Sequence, residues 1–496
     1  MKTIFKISAI ASLACTLLLG GCTSDFDAIN TDPDALPEGS PTNMLGYAIR
    51  STASTHGGYD ATETWAGYQV KIQYMDNFNY LPTNHTYGNK FSNCYRRIVL
   101  MNDILKITES GADQLKNIRW AARIWTQFLW LLNTDQFGDM PYSQANKVEE
   151  GLVTSPYDSQ STIYPAILAD LKEIADEMAA GLGTDEIGEG DFLFGGKSTE
   201  NAPLKWQKFC NSLRLRAAMR IVNVAPDLAK STIEEIGQNP SKYPILDASS
   251  ENAYLWWQGS KPYNEPWYDN SLSRDDYGMS NIFVAHMLKM EDPRISAIMK
   301  PAASDGQYRG YENGALSAPS NLQNVSRVGA MYRDDASGFT AFMKACEGHF
   351  ILAEAALRGW NVGTTAEAAY EKAVRISMED NSVSSEAADA YLSGKGKWDN
   401  TFERLYMEEW VALFKNDMEA WSLYRRTGYP KEIHSSGEYP GKFCIFADAH
   451  NDVPFRMPYP DNEYMYNSEN INAAAAGIVD NTWGKQMWWD TRTGVK

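Results

Sequence analysis

Trp256, Trp257, Tyr263, Trp267 and Tyr268 crowd into one short stretch together with Gln258, Asn264 and Glu265. Flat rings bury the apolar faces of sugars by stacking, while amides and carboxylates fork onto hydroxyls, so this mixture suits glycan capture. A second group, Trp65, Tyr74 and Tyr80, lies in an earlier stretch without helical periodicity. These aromatics are the candidate ligand contacts. By contrast, Trp120, Trp125, Trp130, Trp206, Trp410 and Trp421 fall at helical spacing among apolar neighbours and read as core.

Other chemistry finds little support. Glycoside hydrolysis needs two carboxylates ~5 to 9.5 Å apart. Glu347 and Glu354 share a helical face but stand roughly 10.5 Å apart along its axis, and Glu408 and Glu409 are adjacent. Neither spacing favours a catalytic pair on one element, although carboxylates from different loops could still meet. No nucleophile elbow, phosphate loop or His-Glu-x-x-His helix occurs. The six histidines are scattered, and Cys94, Cys210, Cys346 and Cys444 show no Cys-x-x-Cys spacing, so no catalytic metal or cofactor is expected. Cys210 and Cys346 sit inside apolar helical patterns and read as buried free thiols.

One cysteine has a different reading. Lys2 and Lys6 precede an apolar run from Ala9 to Leu19, followed by Gly20-Gly21-Cys22. The run is about half of the ~20 residues a spanning helix needs. Charge, short apolar core, small residues and cysteine form the layout of a lipoprotein export signal. Residues 1–21 are expected to be removed and Cys22 lipidated, each buried CH₂ of its acyl chains contributing ~0.8 kcal/mol to anchoring. The net charge of −18 repels phosphate backbones, which argues against nucleic acid as a partner.

The elements that must position the aromatics are mainly helical. Residues 22–41, rich in Asp, Pro, Ser and Thr, read as a flexible tether, and 42–496 as the folded body. Ile163, Ile167, Leu171, Ile174 and Met178 form an amphipathic stripe, and Ile118, Ala121, Trp125, Phe128 and Leu132 form another. In the latter helix Trp120, Ile124 and Trp130 fill the remaining faces, which predicts burial nearly all round. Neighbouring helices at roughly 343–358 with 365–378, and 402–415 with 418–426, predict antiparallel hairpins of the tetratricopeptide kind. Between about 225 and 340, Pro, Gly, Asn, Ser and Tyr become frequent, the region reads as loop-rich, and the Tyr254–Gly259 and Lys261–Tyr268 stretches are not expected to be regular helix. Arg214, Arg216 and Arg220 lie along one helical flank and are expected to pair with acids of a neighbouring helix.

Seven short segments, in order, resemble the SusD/RagB family of nutrient-binding outer-membrane lipoproteins, and within it the second SusD-like branch. They are Ile29–Asp34, Thr134–Tyr142, Asn211–Arg216, Asp292-Pro293-Arg294, Phe350–Ala356, Glu419-Ala420-Trp421 with Arg425–Pro430, and Arg456–Pro460 with Glu463. The resemblance implies a helical scaffold of about four tetratricopeptide-like hairpins covered on one side by an irregular ligand-binding half. It also implies a non-catalytic protein, lipid-anchored at the cell surface. Such a protein would serve a SusC-like TonB-dependent transporter and capture oligosaccharides or, in some members, peptides. The matched segments belong to the scaffold and transfer no ligand-contacting residue. Glycan capture is the leading expectation, peptide binding the second and a secreted helical glycosidase the third.

Overall fold

The computed structural model describes residues 39–74, 84–197, 200–315, 317–433 and 449–496. Cys22, Tyr80 and Cys444 lie outside these residues, as does nearly all of the expected tether. The compact unit runs from Pro41 to Lys496.

Long helices dominate it. They are α1 (Pro41–His56), α2 (Asn84–Ile107), α3 (Lys116–Phe137), α4 (Gln160–Ala180), α5 (Ala202–Arg220) and α6 (Pro226–Gln238) in the first half. The second half holds α7 (Asn281–Lys289), α8 (Ala345–Leu357), α9 (Ala366–Asp380), α10 (Ser385–Ser393), α11 (Phe402–Ala412) and α12 (Asp417–Thr427). Among the described residues successive helices pack on one another, α1 on α2, α3 on α4 and α5 on α6, and so do the pairs α2 on α3, α4 on α5, α8 on α9 and α11 on α12. This is the mainly helical, hairpin-built architecture that the sequence predicts, and the last two pairs fall where the apolar stripes put them.

Local chemistry sets the boundaries. Thr365, Ser384 and Thr401 cap α9, α10 and α11, each hydroxyl accepting a backbone N–H of the first turn. α3 stops at Gly138, whose φ of 82° and ψ of −130° suit only glycine; its N–H donates to the Thr134 carbonyl at 2.8 Å. The buried face of α3 extends nearly all the way round, as its filled faces predict.

Buried arginines tie the hairpins together, and they lie in the segments singled out from the sequence. On α5, Arg214 reaches Glu235 at 2.6 Å, Arg216 grips both oxygens of Glu347 at 2.5 and 2.7 Å, and Arg220 pairs with Glu419 and, at 3.5 Å, with Asp135. Arg426 forks onto Glu354 at 2.8 Å on each oxygen. Arg294 joins Asp292 and Glu408. Arg425 lies 3.4 Å from the Trp421 ring centre and donates to the Phe455 and Asp135 carbonyls. Removing one partner of such a buried pair typically costs about 3–5 kcal/mol, because the other charge stays behind without water.

Between α6 and α8 the chain turns irregular and, with one strand supplied from between α1 and α2, builds three small antiparallel ribbons: β1 (Gln69–Lys71) with β3 (Tyr277–Met279), β2 (Ala253–Trp256) with β6 (Phe339–Met343), and β4 (Met299–Lys300) with β5 (Arg327–Val328). Two local expectations change here. Pro266–Ser271 is a short helix, begun by proline and capped by Glu265, which accepts the Tyr268 N–H at 2.7 Å. Trp65 ends a single helical turn, Thr62–Trp65.

Candidate functional site: an aromatic plate on a helical scaffold

The ribbons bring residues far apart in sequence onto one aromatic plate. Trp267, Tyr59 and Tyr277 stack in series, with ring centres 4.8 and 4.3 Å apart and planes within 4° and 8° of parallel. The pairing of β1 with β3 sets Tyr277 opposite Lys71. Tyr59 and Tyr277 are half-buried, while Trp267 closes the inner end. Near the outer end, Tyr74 is 68% exposed and carries the Arg274 guanidinium 5.1 Å above its ring. Arg274 is itself held by Asp276 at 2.6 Å.

The plate is propped by the scaffold. Lys415, in the turn between α11 and α12, donates to the Tyr332 carbonyl at 2.6 Å and pairs with Glu265 at 3.1 Å. Its ammonium sits 4.8 Å from the Trp267 ring centre and 5.0 Å from that of Phe339. Burial pushes the Glu265 carboxyl up and the Lys415 ammonium down, and their mutual pairing opposes both shifts. The 257–268 segment is sewn to the 335–340 segment by Trp257 N–H to the Gly338 carbonyl and Glu265 N–H to the Ala336 carbonyl, both at 2.9 Å. A cavity of about 50 Å³ adjoins Trp267, lined also by His56, Gly57, Thr340 and Asp417. Gly57 is required there by close approach: a Cβ would lie 2.4 Å from Thr340 Oγ1.

The sequence-predicted aromatics divide sharply. Trp256, on β2, is 60% exposed and leans on Phe339 at 5.1 Å. Its neighbour Trp257 turns inward and donates Nε1–H to Thr340 Oγ1 at 3.0 Å. Tyr263 is half-buried beneath the Arg50 guanidinium, 4.4 Å from its ring centre, and Tyr268 is half-buried. Trp267 is the buried base of the plate, and Trp65 packs wholly inside against Trp421 at 4.6 Å. Rings without an exposed face, Trp65, Trp257 and Trp267, offer a ligand no surface to stack on. Tyr59, Tyr277, Arg274 and Lys415 were not among the sequence candidates. Only the Arg274-Asp275-Asp276-Tyr277 run, polar and aromatic inside the irregular stretch, carried a signal for two of them.

The carboxylates weighed for hydrolysis lie inside the scaffold. Glu347 is gripped by Arg216 and Glu354 by Arg426 and Arg358, which holds the Glu354 carboxyl below its ordinary range. Glu408 pairs with Arg294, and Glu409 is buried beside it in sequence, its carboxyl pushed well up by burial. The described cysteines Cys94, Cys210 and Cys346 are free and buried, and burial lifts the first two thiols to about 12. Among the described residues no group of three His, Cys, Asp or Glu side chains is placed to hold a metal ion, and no helix is long and apolar enough to cross a membrane.

Residues 33–460 match the second SusD-like family, described as starch-binding and associating with outer membrane. No curated protein sequence matches the chain. Solved structures share its fold. A SusD-like protein from Bacteroides thetaiotaomicron is 22% identical with a TM-score of 0.76, over 92% of this chain and 100% of that one. A chitin-binding SusD homologue from Flavobacterium johnsoniae is 24% identical with a TM-score of 0.74, over 91% and 99%. A SusD homologue from Bacteroides uniformis is 24% identical with a TM-score of 0.73, over 90% and 99%.

Proposed function

The chain belongs to the SusD-like family, and on that premise we propose that it captures oligosaccharide on the aromatic plate and hands it to a SusC-like TonB-dependent transporter, without cutting it. The observation that carries this reading is the Trp267–Tyr59–Tyr277 stack propped by Lys415 and Glu265. A pre-stacked set of rings loses little freedom when a sugar ring is laid on its free end, which is how preorganisation raises affinity. Exposed Tyr74 adds apolar area at the outer end, exposed Trp256 offers a second ring beside Phe339, and Arg274 offers a hydroxyl partner. The site is a surface and not a closed pocket, so it buries only part of a ligand and affinity is modest.

The chitin-binding relative and the starch-binding description of the family favour a glycan over a peptide. The reading without turnover draws on the carboxylates Glu347, Glu354 and Glu408, all committed to arginines within the scaffold. Location at the outer membrane through lipid on Cys22 rests on the Gly20-Gly21-Cys22 signal and the family description. Isothermal titration against a broad oligosaccharide panel and a peptide digest tests the ligand class. Heat with one or more sugars and none with peptides is expected; heat with peptides alone contradicts the reading.

A further inference from the structure

Beside the plate lies a cleft of about 280 Å³ whose charge runs against the rest of the molecule. Four cations line it, Arg274, Lys300, Arg327 and Arg333, with Asp275 the one acid in its wall. The whole chain carries −18. A cluster of cations on such a protein needs a reason, because the bulk of its surface field attracts cations and not anions.

The pairing inside the cleft is incomplete. Arg327 takes both oxygens of Asp275 at 2.8 Å each. Arg333 is left with longer contacts, 3.5 Å from Nη1 to the same Asp275 and 3.6 Å from Nε to Asp334, and its Nε makes no hydrogen bond. Lys300 competes for Asp334. Two carboxylates, Asp275 and Asp334, thus serve three cations, and the guanidinium of Arg333, largely buried, keeps donors to spare. Arg274 belongs to both places: it lines the cleft and lies over the Tyr74 ring. Gln323 and Ser271 add neutral hydrogen-bonding groups, so the cleft can take a polar substituent of one sugar while its neighbour rests on the rings.

We infer that the cleft is an anion subsite contiguous with the aromatic plate, and that the oligosaccharide bound there is acidic, its carboxylate or sulfate group held by Arg333 and Lys300. This inference deepens the sugar-binding reading and rests on it. A carboxylate or sulfate accepts two parallel N–H bonds from a guanidinium, which is the geometry an under-used arginine offers.

The test is an array of neutral, uronate-bearing and sulfated oligosaccharides of matched length, probed with wild-type protein and with Arg333→Gln and Lys300→Gln. Acidic members are expected to dominate, with binding that weakens as salt rises. Each variant should lose about tenfold on them and little on any neutral binder. The separate uronate and sulfate arms show which anion is held. Lys300 is a partly exposed surface residue, so its variant remains informative if Arg333→Gln folds poorly. Binding to neutral members alone, or acidic binding untouched by both variants, overturns the acidic assignment and leaves the sugar reading standing. Binding to no member of the array overturns both.

Discussion

At the scale of single residues, Trp256 and Trp267 separate two uses of the same side chain. Trp267 is buried, stacked on Tyr59 and faced by Lys415. Trp267→Ala should cost about 3–5 kcal/mol and leave the Lys415–Glu265 pair without its cover. Trp256 is mostly exposed, so Trp256→Ala should shift stability by about 0.5 kcal/mol or less while weakening sugar binding. Thermal melts paired with titration check both; equal destabilisation by the two would contradict the assignment. The sequence placed both tryptophans in one candidate group. It could not separate them, because their difference is decided by the partner strand β6 and by the α11–α12 turn, neither adjacent in the chain. Tyr59 was illegible for the same reason, and Tyr277 showed only as part of a polar and aromatic run: stacking joins positions that no local pattern links.

At the scale of elements, the interfaces between hairpins carry their own pH dependence. Glu409 on α11 is buried among Glu347, Glu354 and Glu419, with Arg426 already forked onto Glu354. Burial raises its folded-state pKa well above the ordinary 4.5. The folded state therefore holds this proton more tightly than the unfolded chain does. Its contribution to stability is full below about pH 4.5 and is lost as pH rises towards the folded pKa, at about 1.4 kcal/mol per pH unit. Glu409→Gln, which never ionises, should raise the melting temperature at pH 7 to 8, with the gain shrinking as pH falls towards 4.5. A gain that grows on acidification would contradict the burial argument. Helices themselves were the legible part of this molecule. The α8–α9 and α11–α12 pairs lie within a few residues of their apolar stripes, and the Arg214, Arg216 and Arg220 flank meets acids as its charge pattern required. Short ribbons such as β1–β3 were not legible, since two or three residues give no period to read.

At the scale of the whole molecule, a rigid helical frame with buried arginine ties presents an aromatic plate assembled from its least regular part. The frame explains why the matched sequence segments say nothing of ligand: Arg216, Arg294, Arg425 and Arg426 spend their donors inside. The plate is the central claim, and hydroxyl-radical footprinting tests it most directly. Oxidation of Trp256, Tyr74 and Tyr277 is measured with and without a saturating oligosaccharide found by titration. The account predicts that the ligand protects Tyr74 and Tyr277 most, Trp256 next, and exposed rings elsewhere, such as Tyr47 and Tyr466, not at all. Protection confined to those other rings, with Tyr74 and Tyr277 oxidised as in the free protein, would contradict it.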